Sequence, residues 1–371
     1  MKRIAAALVG LLAAGLLLEL GVRAVWFQRK APDPSGIHHL VRVFRKQLPV
    51  LLGGPSGREL NRVAWEESYR ERGLPVPEGG PREGYWGDRI KPMNLACAPL
   101  VYCEREQTRS GAYAIDAQGF QHAGPADAPF RVLVLGGSVA FGAYASSAAE
   151  TYFAKLAEGL AVRGLPTRVS VLAASAWVSG HELAAFLLRG GEAAPQVALF
   201  LDGLNDITNQ DYLEPPVRVA TYRQNTTSAR EAARALGVDV VFALQPWPDG
   251  KATRTPIEER LVELTFAKHP DTTREVRLRS YAEMREALAA LAQGPGVHFV
   301  DCSGAFANEK ATTFADYWHF SDPGHSLLAQ CLVDGIAPVL LARSGTVGTE
   351  ATAGAHDPAP ERAAIAGRRG P

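Results

Sequence analysis

The stretch that decides the fold is RVLVLGGSVAFG at residues 131–142, an apolar run that ends in two glycines and a serine. A continuous apolar run, rather than an alternating one, is typical of a strand buried on both faces of a parallel sheet. Gly136 and Gly137 allow a tight turn, and Ser138 then stands at a helix start, where the helix dipole favours developing negative charge. The turn fits no nucleotide loop, because it lacks the G-x-G-x-x-G pattern and no lysine follows Gly142. Ser138 is therefore a candidate nucleophile, and a helix N-cap is the alternative use of its hydroxyl.

Four further apolar runs follow along the chain, and each is followed by a turn. Together with the first run they predict five buried strands, at residues 132–135, 169–173, 197–201, 240–244 and 297–300. Amphipathic segments predict helices at residues 150–163, 180–188, 229–236, 277–292 and 323–342. This alternation predicts right-handed strand–helix–strand units and a parallel sheet with helices on both faces. Ligands bind beyond the carboxyl ends of such strands, so we expect the long connections 208–228 and 247–273 to shape a substrate cleft.

Two later motifs carry side chains suited to acyl-transfer chemistry. The sequence GLND at residues 203–206 follows the third strand, where the amide of Asn205 can serve as an oxyanion donor; an Asx-turn is the alternative. In DYWH at residues 316–319, the carboxylate of Asp316 can accept the Nδ1–H of His319 and leave Nε2 facing a serine. These motifs and the serine turn all fall at the same edge of the predicted sheet.

The order of these motifs resembles that of the SGNH/GDSL hydrolase superfamily of esterases and acylhydrolases, in its membrane-anchored or exported bacterial form. The resemblance covers residues 131–342 and implies a flavodoxin-like three-layer α/β sandwich with a five-stranded parallel sheet. It implies that Ser138 is the nucleophile, that His319 is the base and that Asp316 orients it. It also implies an oxyanion hole that includes the N–H of Ser138 and the amide of Asn205. No metal or organic cofactor is implied.

The chain departs from that family most clearly in the second sequence block. The segment AASAWVSGHEL at residues 173–183 lies in the right place, and the resemblance implies that Ala176 replaces the usual glycine, with Gly180 as the alternative. The oxyanion contact at this position is a backbone N–H, which alanine also provides. The replacement therefore keeps the hydrogen-bond donor but adds a methyl group, and it is expected to tighten the acyl pocket. The first block also departs, since Gly137 stands where the family name has Asp.

The first 26 residues, MKRIAAALVGLLAAGLLLELGVRAVW, combine a positive start with an apolar run. About 19 apolar residues are near the lower limit for crossing a hydrocarbon core of about 30 Å, so we predict an uncleaved membrane anchor. A cleaved signal peptide is the alternative, and either reading places the remaining chain outside the cytoplasm. Disulfides form in such compartments, and we expect one between Cys97 and Cys103. Cys302 and Cys331 are instead expected to be unpaired core residues, and His325 is expected at the surface.

Charge and composition complete the prediction. The 371 residues include 39 Lys+Arg and 39 Asp+Glu, and this zero net charge argues against nucleic acid as a partner. The predicted organisation is an anchor or signal, an irregular lead-in with one short helix near residues 41–48, a catalytic domain and a disordered tail, at residues 1–26, 27–130, 131–342 and 343–371.

The predicted function is that of a serine esterase that hydrolyses carboxylic esters of small acyl groups through a Ser-His-Asp triad and an acyl-enzyme. Its expected partners are an ester substrate and, through the N-terminal helix, the membrane. O-acetyl groups on envelope or exported glycans are candidate substrates, and Trp177, Trp247 and Trp318 are candidates for sugar stacking or for core packing. Two alternatives stay open: an O-acyltransferase that uses the same residues, and an inactive glycan-binding or assembly protein.

Overall fold

A six-stranded, mostly parallel sheet forms the centre of the protein in a computed structural model, which describes residues 55–81, 93–98, 101–105, 115–116, 118–208, 215–268 and 273–353. The described strands are an antiparallel hairpin of β1 (Met93–Ala98) and β2 (Val101–Arg105), and the sheet strands β3 (Gln121–Ala123), β4 (Phe130–Gly136), β5 (Thr167–Ala173), β6 (Val197–Asp202), β7 (Asp239–Leu244) and β8 (Val297–Asp301). The order across the sheet is β3-β5-β4-β6-β7-β8. Strand β3 is antiparallel to β5, and all other neighbours are parallel.

Helices cover both faces of this sheet, as predicted. They are α1 (Gly57–Arg70), α2 (Tyr152–Val162), α3 (Ser179–Arg189), α4 (Leu204–Thr208), α5 (Pro215–Ala235), α6 (Pro256–Lys268), α7 (Arg274–Leu291) and α8 (Asp322–Ala353). On one face, α2 and α8 pack against side chains such as Val134 and Leu199. On the other face, α3, α5 and α7 pack against side chains such as Leu135 and Phe200. Each central strand is thus buried on both sides, which is why its sequence is a continuous apolar run.

The five parallel strands confirm the predicted positions to within two residues at each end. Their order across the sheet is second, first, third, fourth, fifth, which is the flavodoxin-like order. The sheet nevertheless has six strands rather than the expected five. The additional strand β3 is only three residues long and begins with Gln121 and His122, so no apolar run marks it in the sequence. The strand order reverses between β4 and β6, and this is the place at which such sheets bind ligands.

Three segments that were expected to be irregular contain regular structure. The connection 208–228 is largely helical, because α5 begins at Pro215 and buries a narrow stripe that includes Val219, Tyr222 and Thr226 in a sequence that is otherwise polar. The connection 247–273 contains α6, and the lead-in contains α1, the hairpin and β3. The last helix extends to Ala353, beyond the predicted boundary at residue 342.

A disulfide joins Cys302, directly after β8, to Cys331 in α8, with 6.0 Å between the two Cα atoms. The prediction that both are unpaired core residues is wrong. Helix α8 packs beside β8 and brings together two positions 29 residues apart, which no local sequence pattern reveals. Cys97 and Cys103 fall on the strands of the hairpin, but their side chains lie outside the described part of the chain. Their pairing therefore stays a prediction.

The predicted N-terminal anchor or signal, the short helix near residues 41–48 and the end of the tail at residues 354–371 all lie outside the described residues. Within the described part, the segment Asp322–Ser344 of α8 is long and apolar enough to cross a membrane by length and composition alone. Half of its apolar window is buried inside the protein. That burial is expected of a core helix, and the segment carries no argument for a membrane.

Candidate active site

The serine turn and its two partner motifs meet at the carboxyl edge of the sheet. Ser138 follows β4, Asn205 lies in α4 directly after β6, and His319 lies in the loop before α8. The packing at the turn is tight, since a Cβ added to Gly137 would lie 2.3 Å from the amide nitrogen of Asn205. A side chain at this position would require the amide of Asn205 to shift, and the short loop places the serine next to the neighbouring strand end.

Ser138, His319 and Asp316 form a continuous hydrogen-bonded chain. Nε2 of His319 lies 2.6 Å from Oγ of Ser138, and Nδ1 lies 2.9 Å and 3.0 Å from the two carboxylate oxygens of Asp316. A carboxylate only accepts, so Nδ1 carries the proton and Nε2 is left to accept the hydrogen of the serine hydroxyl. Ser138 and His319 are half-buried, so both keep part of their surface exposed.

The carboxylate of Asp316 is held by more than the histidine. One of its oxygens accepts the backbone N–H groups of Trp318 and His319, both at 2.8 Å. Burial alone would raise the pKa of Asp316, but the histidine contact and these N–H groups outweigh it, so its pKa lies below the ordinary value. The group is therefore an anion over the whole neutral range, as the stabilisation of an imidazolium requires.

The turn after β5 lies against the serine turn and carries Ala176. The N–H of Ala174 donates to the carbonyl of Gly136 at 3.4 Å, and the carbonyl of Trp177 accepts from Nδ2 of Asn205 at 2.9 Å. Ala176 lies between these two contacts with a φ of 65°, a left-handed conformation that favours glycine. Gly180, the alternative, lies in the first turn of α3 instead, where an added Cβ would approach Asn225 in α5. The structure thus brings the Ala176 segment, and not Gly180, to the serine turn.

A group of buried acidic side chains behind Asn205 was missed by the sequence analysis. Asp206 accepts the N–H of Ser179 at 3.1 Å and its hydroxyl at 2.5 Å. Asp202 accepts the hydroxyl of Tyr222 at 2.7 Å, and Glu182 is fully buried beside it. We call Glu182, Asp202 and Asp206 the acidic cluster. The helical spacing of Ser179 and Glu182 on the buried face of α3 is the signal that could have identified it.

The electrostatics of the acidic cluster follow from its burial. Burial raises the pKa of Asp202 to about 6 and, together with the charge of Asp202, that of Asp206 to about 7. Burial and both aspartates raise the pKa of Glu182 well above its ordinary value. Glu182 is therefore a neutral acid at neutral pH.

An aromatic ring in contact with the triad was also missed by the sequence analysis. The ring of Tyr144 stacks on the imidazole of His319, with 4.8 Å between centroids and 7° between planes. The prediction that His325 lies at the surface is wrong, because it is fully buried. Its Nε2 donates to the carbonyl of Ala143 at 2.9 Å, and its Nδ1 accepts the N–H of Tyr152 at 3.4 Å. Buried backbone groups need such partners, and this histidine supplies them.

The three tryptophans considered for substrate contact differ in exposure. Trp177 and Trp247 are buried in the core, so they are not available for stacking on a sugar. Trp318, one residue before His319, is half-buried, and its indole N–H donates to the hydroxyl of Thr208 at 3.3 Å. Among the described residues, no group of three or more His, Cys, Asp or Glu side chains is arranged to hold a metal ion.

Comparison with known proteins gives a family match for the central part of the chain. The sequence model of the GDSL-like Lipase/Acylhydrolase family matches residues 134–327. Similar solved structures include the acetylxylan esterase Axe2 from Geobacillus stearothermophilus, with 16% identity, a TM-score of 0.41 and coverage of 56% of this chain and 94% of that one. Another is the lipase Lip_vut3 from a goat rumen metagenome, with 14% identity, a TM-score of 0.43 and coverage of 56% and 97%. No curated protein sequence matches the chain significantly.

Proposed function

The chain belongs to the GDSL-like lipase/acylhydrolase family, and from this premise we propose that it is a serine esterase for carboxylic esters of small acyl groups. The observation that carries the proposal is the 2.6 Å contact between Nε2 of His319 and Oγ of Ser138, with Asp316 on the far nitrogen. A base within hydrogen-bond reach of a serine, itself oriented by a carboxylate, is the arrangement that nucleophilic catalysis requires.

In the proposed reaction, Oγ of Ser138 attacks the ester carbonyl carbon while Nε2 of His319 takes the hydroxyl proton. The tetrahedral oxyanion accepts hydrogen bonds from the N–H of Ser138, the N–H of Ala176 and the side-chain amide of Asn205. The intermediate collapses as His319 returns its proton to the leaving alkoxide, which leaves an acyl-serine. Water then attacks the acyl carbon with the same base, and the acid and the free serine are released.

The preference for small acyl groups rests on Ala176. Ala176 has a left-handed backbone in the turn after β5, where the family carries a glycine, and we propose that its methyl group narrows the acyl side of the cleft. We infer that acetyl esters are turned over faster than octanoyl esters. Ala176 is proposed here as the third oxyanion donor, in preference to Gly180, because its segment contacts the serine turn directly.

The proposed substrates are O-acetyl groups on envelope or exported glycans, which requires a chain outside the cytoplasm. Two observations support that location: the positively charged, apolar start of the sequence, and the disulfide between Cys302 and Cys331, since disulfides persist in oxidising compartments. Trp318 supports a glycan, because a half-buried indole beside His319 offers a flat apolar surface for a sugar ring.

The test is Ser138→Ala in a folded sample with aryl acetate as substrate. We expect kcat to fall by about 10⁴-fold or more and labelling by a fluorophosphonate to disappear. Ser326→Ala, an exposed serine in α8, is the matched control and is expected to behave as wild type. Unchanged turnover in Ser138→Ala would contradict the proposal.

If acetyl groups pass to an added glycan faster than to water, the O-acyltransferase alternative replaces hydrolysis with the same residues in place. Absence of both turnover and labelling in wild type would instead favour a binding protein.

A further inference from the structure

We propose that α1, with the two residues that follow it, is a clamp that positions the catalytic histidine through the ring of Tyr144. The clamp lies outside the family-matched residues 134–327, in the segment that the sequence predicts to be an irregular lead-in. The inference rests on the proposed function, since it assigns a positioning role towards the proposed base. It makes Trp65 and Tyr144 positioning residues, because neither contacts the reacting atoms.

The ring of Tyr144 lies directly against the imidazole of His319. The two rings are nearly parallel, at 7°, and their centroids are 4.8 Å apart. Asp316 and Ser138 hold the two nitrogen atoms of the imidazole in its plane, but neither restrains the ring from tilting about the line between them. A flat ring stacked on one face removes that remaining freedom.

Tyr144 is in turn connected to α1. Tyr144 has a φ of 68°, which is an outlier for a bulky residue and costs free energy unless the surroundings hold it. Its carbonyl accepts the indole N–H of Trp65 at 2.9 Å, and the two side chains belong to one buried cluster with Tyr69 and Ala315. Trp65 is fully buried, so α1 fixes the strained backbone that directs the tyrosine ring at the histidine.

The two residues after α1 also form hydrogen bonds with the loop that carries His319. Arg72 donates to the carbonyl of Thr312 at 2.6 Å and to the hydroxyl of Thr313 at 3.1 Å. The carboxylate of Glu71 accepts the N–H of Thr312, and also its hydroxyl at 3.1 Å. These threonines shortly precede Asp316, so the residues after α1 hold the loop that carries the acid and the base. The clamp thus contacts both the segment that follows Ser138 and the segment that precedes His319.

The consequence of losing the clamp is misalignment rather than loss of a reacting group. A displacement of about 1 Å at a catalytic group can cost about 10²-fold in rate, because the reacting atoms leave their attack geometry. Substrate binding in the cleft does not involve the buried Trp65, so we expect the loss to appear in kcat and not in KM.

The experiment compares four variants of the full chain in aryl acetate hydrolysis. Tyr144→Gly keeps a residue suited to positive φ but removes the ring, and we expect kcat to fall by about 10- to 100-fold at unchanged KM. Tyr144→Phe keeps the stacked ring and should restore kcat to within about 2-fold of wild type. Trp65→Phe removes the indole N–H from the Tyr144 carbonyl, and kcat should fall by about 3- to 10-fold, because one neutral hydrogen bond is lost.

Leu288→Ala is the control for general loss of stability. Leu288 is fully buried near the end of α7, towards the amino edge of the sheet and away from the candidate site. It should lower the urea midpoint at least as much as Trp65→Phe while leaving kcat within about 2-fold. If Leu288→Ala lowers kcat as much as Trp65→Phe does at matched stability, α1 is merely structural and the proposal is overturned.

A second readout does not depend on activity. The Tyr144 ring shifts the NMR resonances of the His319 ring protons through its ring current. This shift should vanish in Tyr144→Gly, persist in Tyr144→Phe and change in Trp65→Phe. If wild type hydrolyses no ester while the shifts behave in this way, the proposed function fails and the positioning stands. If the shifts are the same in all variants, the positioning is wrong whatever the activity.

Discussion

Asp316 is the residue whose environment is most clearly specialised, since His319 and two backbone N–H groups all donate to it. Replacement by asparagine keeps the shape but places an amide against Nδ1, which favours the wrong imidazole tautomer. We expect Asp316→Asn to lower kcat by about 10³- to 10⁴-fold. Steady-state hydrolysis of an aryl acetate measures this.

The low pKa of Asp316 also fixes the sign of its effect on stability. A carboxyl group whose pKa is lowered in the folded state stabilises the protein above its ordinary pKa near 3.9, and this stabilisation is lost as the pH falls through the folded value. Asp316→Asn should therefore lower the free energy of unfolding at pH 7 more than at pH 3. Asp127→Asn, an exposed carboxylate in the loop before β4, is the control. A kcat within 10-fold of wild type would contradict the role proposed for Asp316.

Ala176, unlike Asp316, is not suited to its position, because its backbone has a left-handed conformation that glycine adopts more easily. Left-handed backbone costs a non-glycine residue roughly 1–2 kcal/mol, while glycine loses roughly 0.4–1 kcal/mol through its freer unfolded chain. We therefore expect Ala176→Gly to raise the free energy of unfolding by up to about 1.5 kcal/mol and to increase turnover of octanoyl relative to acetyl esters. Ala176→Val should lower both stability and kcat, because a β-branched residue tolerates this φ poorly. An unchanged ester preference in Ala176→Gly would remove Ala176 from the acyl pocket.

The acidic cluster joins three elements, since Glu182 lies on α3, Asp202 at the end of β6 and Asp206 on α4. Carboxyl groups whose pKa values are raised by folding bind protons more tightly in the folded state. The contribution of the cluster to the free energy of unfolding is thus greatest below the ordinary carboxyl pKa near 4, and it decreases as the pH rises towards about 7, where Asp206 titrates. Tyr222, Ser179 and Asn225 are the polar groups that face the cluster from α5 and α3, and none of them supplies a positive charge.

Glu182→Gln tests this account, because it replaces a group that must stay neutral with a permanently neutral one. We expect it to raise the free energy of unfolding at pH 8.5 by on the order of 1 kcal/mol, and to change it little at pH 5. Urea unfolding at the two pH values measures the difference. Glu231→Gln, an exposed partner of Arg230, should show no such pH dependence. Equal effects of Glu182→Gln at both pH values would mean that Glu182 holds no folding-linked proton.

Across the whole molecule, features that leave a local sequence pattern could be predicted, and features that depend on long-range packing could not. The five central strands and the motifs around Ser138, Asn205 and His319 were predictable, because burial on both faces and tight turns each leave a local pattern. The clamp was not, because the contact from Trp65 to Tyr144 spans 79 residues and each side chain alone is an ordinary core aromatic. The disulfide and the acidic cluster escaped for the same reason, since their members come from separate elements that only packing brings together.

Long-range packing of this kind also places the start of the catalytic unit earlier in the chain than the sequence predicts. The sequence predicts a boundary at residue 131, but α1 packs its Trp65 against Tyr144 and its Leu60 against α6. A chain without residues 1–114 keeps the whole family-matched region, yet exposes the apolar surface that α1 covers. We expect its kcat to fall by at least about 10-fold and its solubility to decrease. A chain without residues 1–26 keeps α1 and should retain full kcat.

Removal of residues 1–26 also tests the proposed anchor, independently of catalysis. The full chain should sediment with membranes and the shortened chain should remain in solution, because the apolar segment supplies the attachment. N-terminal sequencing of the full chain expressed with export machinery decides between an anchor and a cleaved signal, since only the signal would be missing from the mature protein. Full kcat in the chain without residues 1–114 would restore the boundary at residue 131, and the stacked tyrosine would then hold His319 without help from α1.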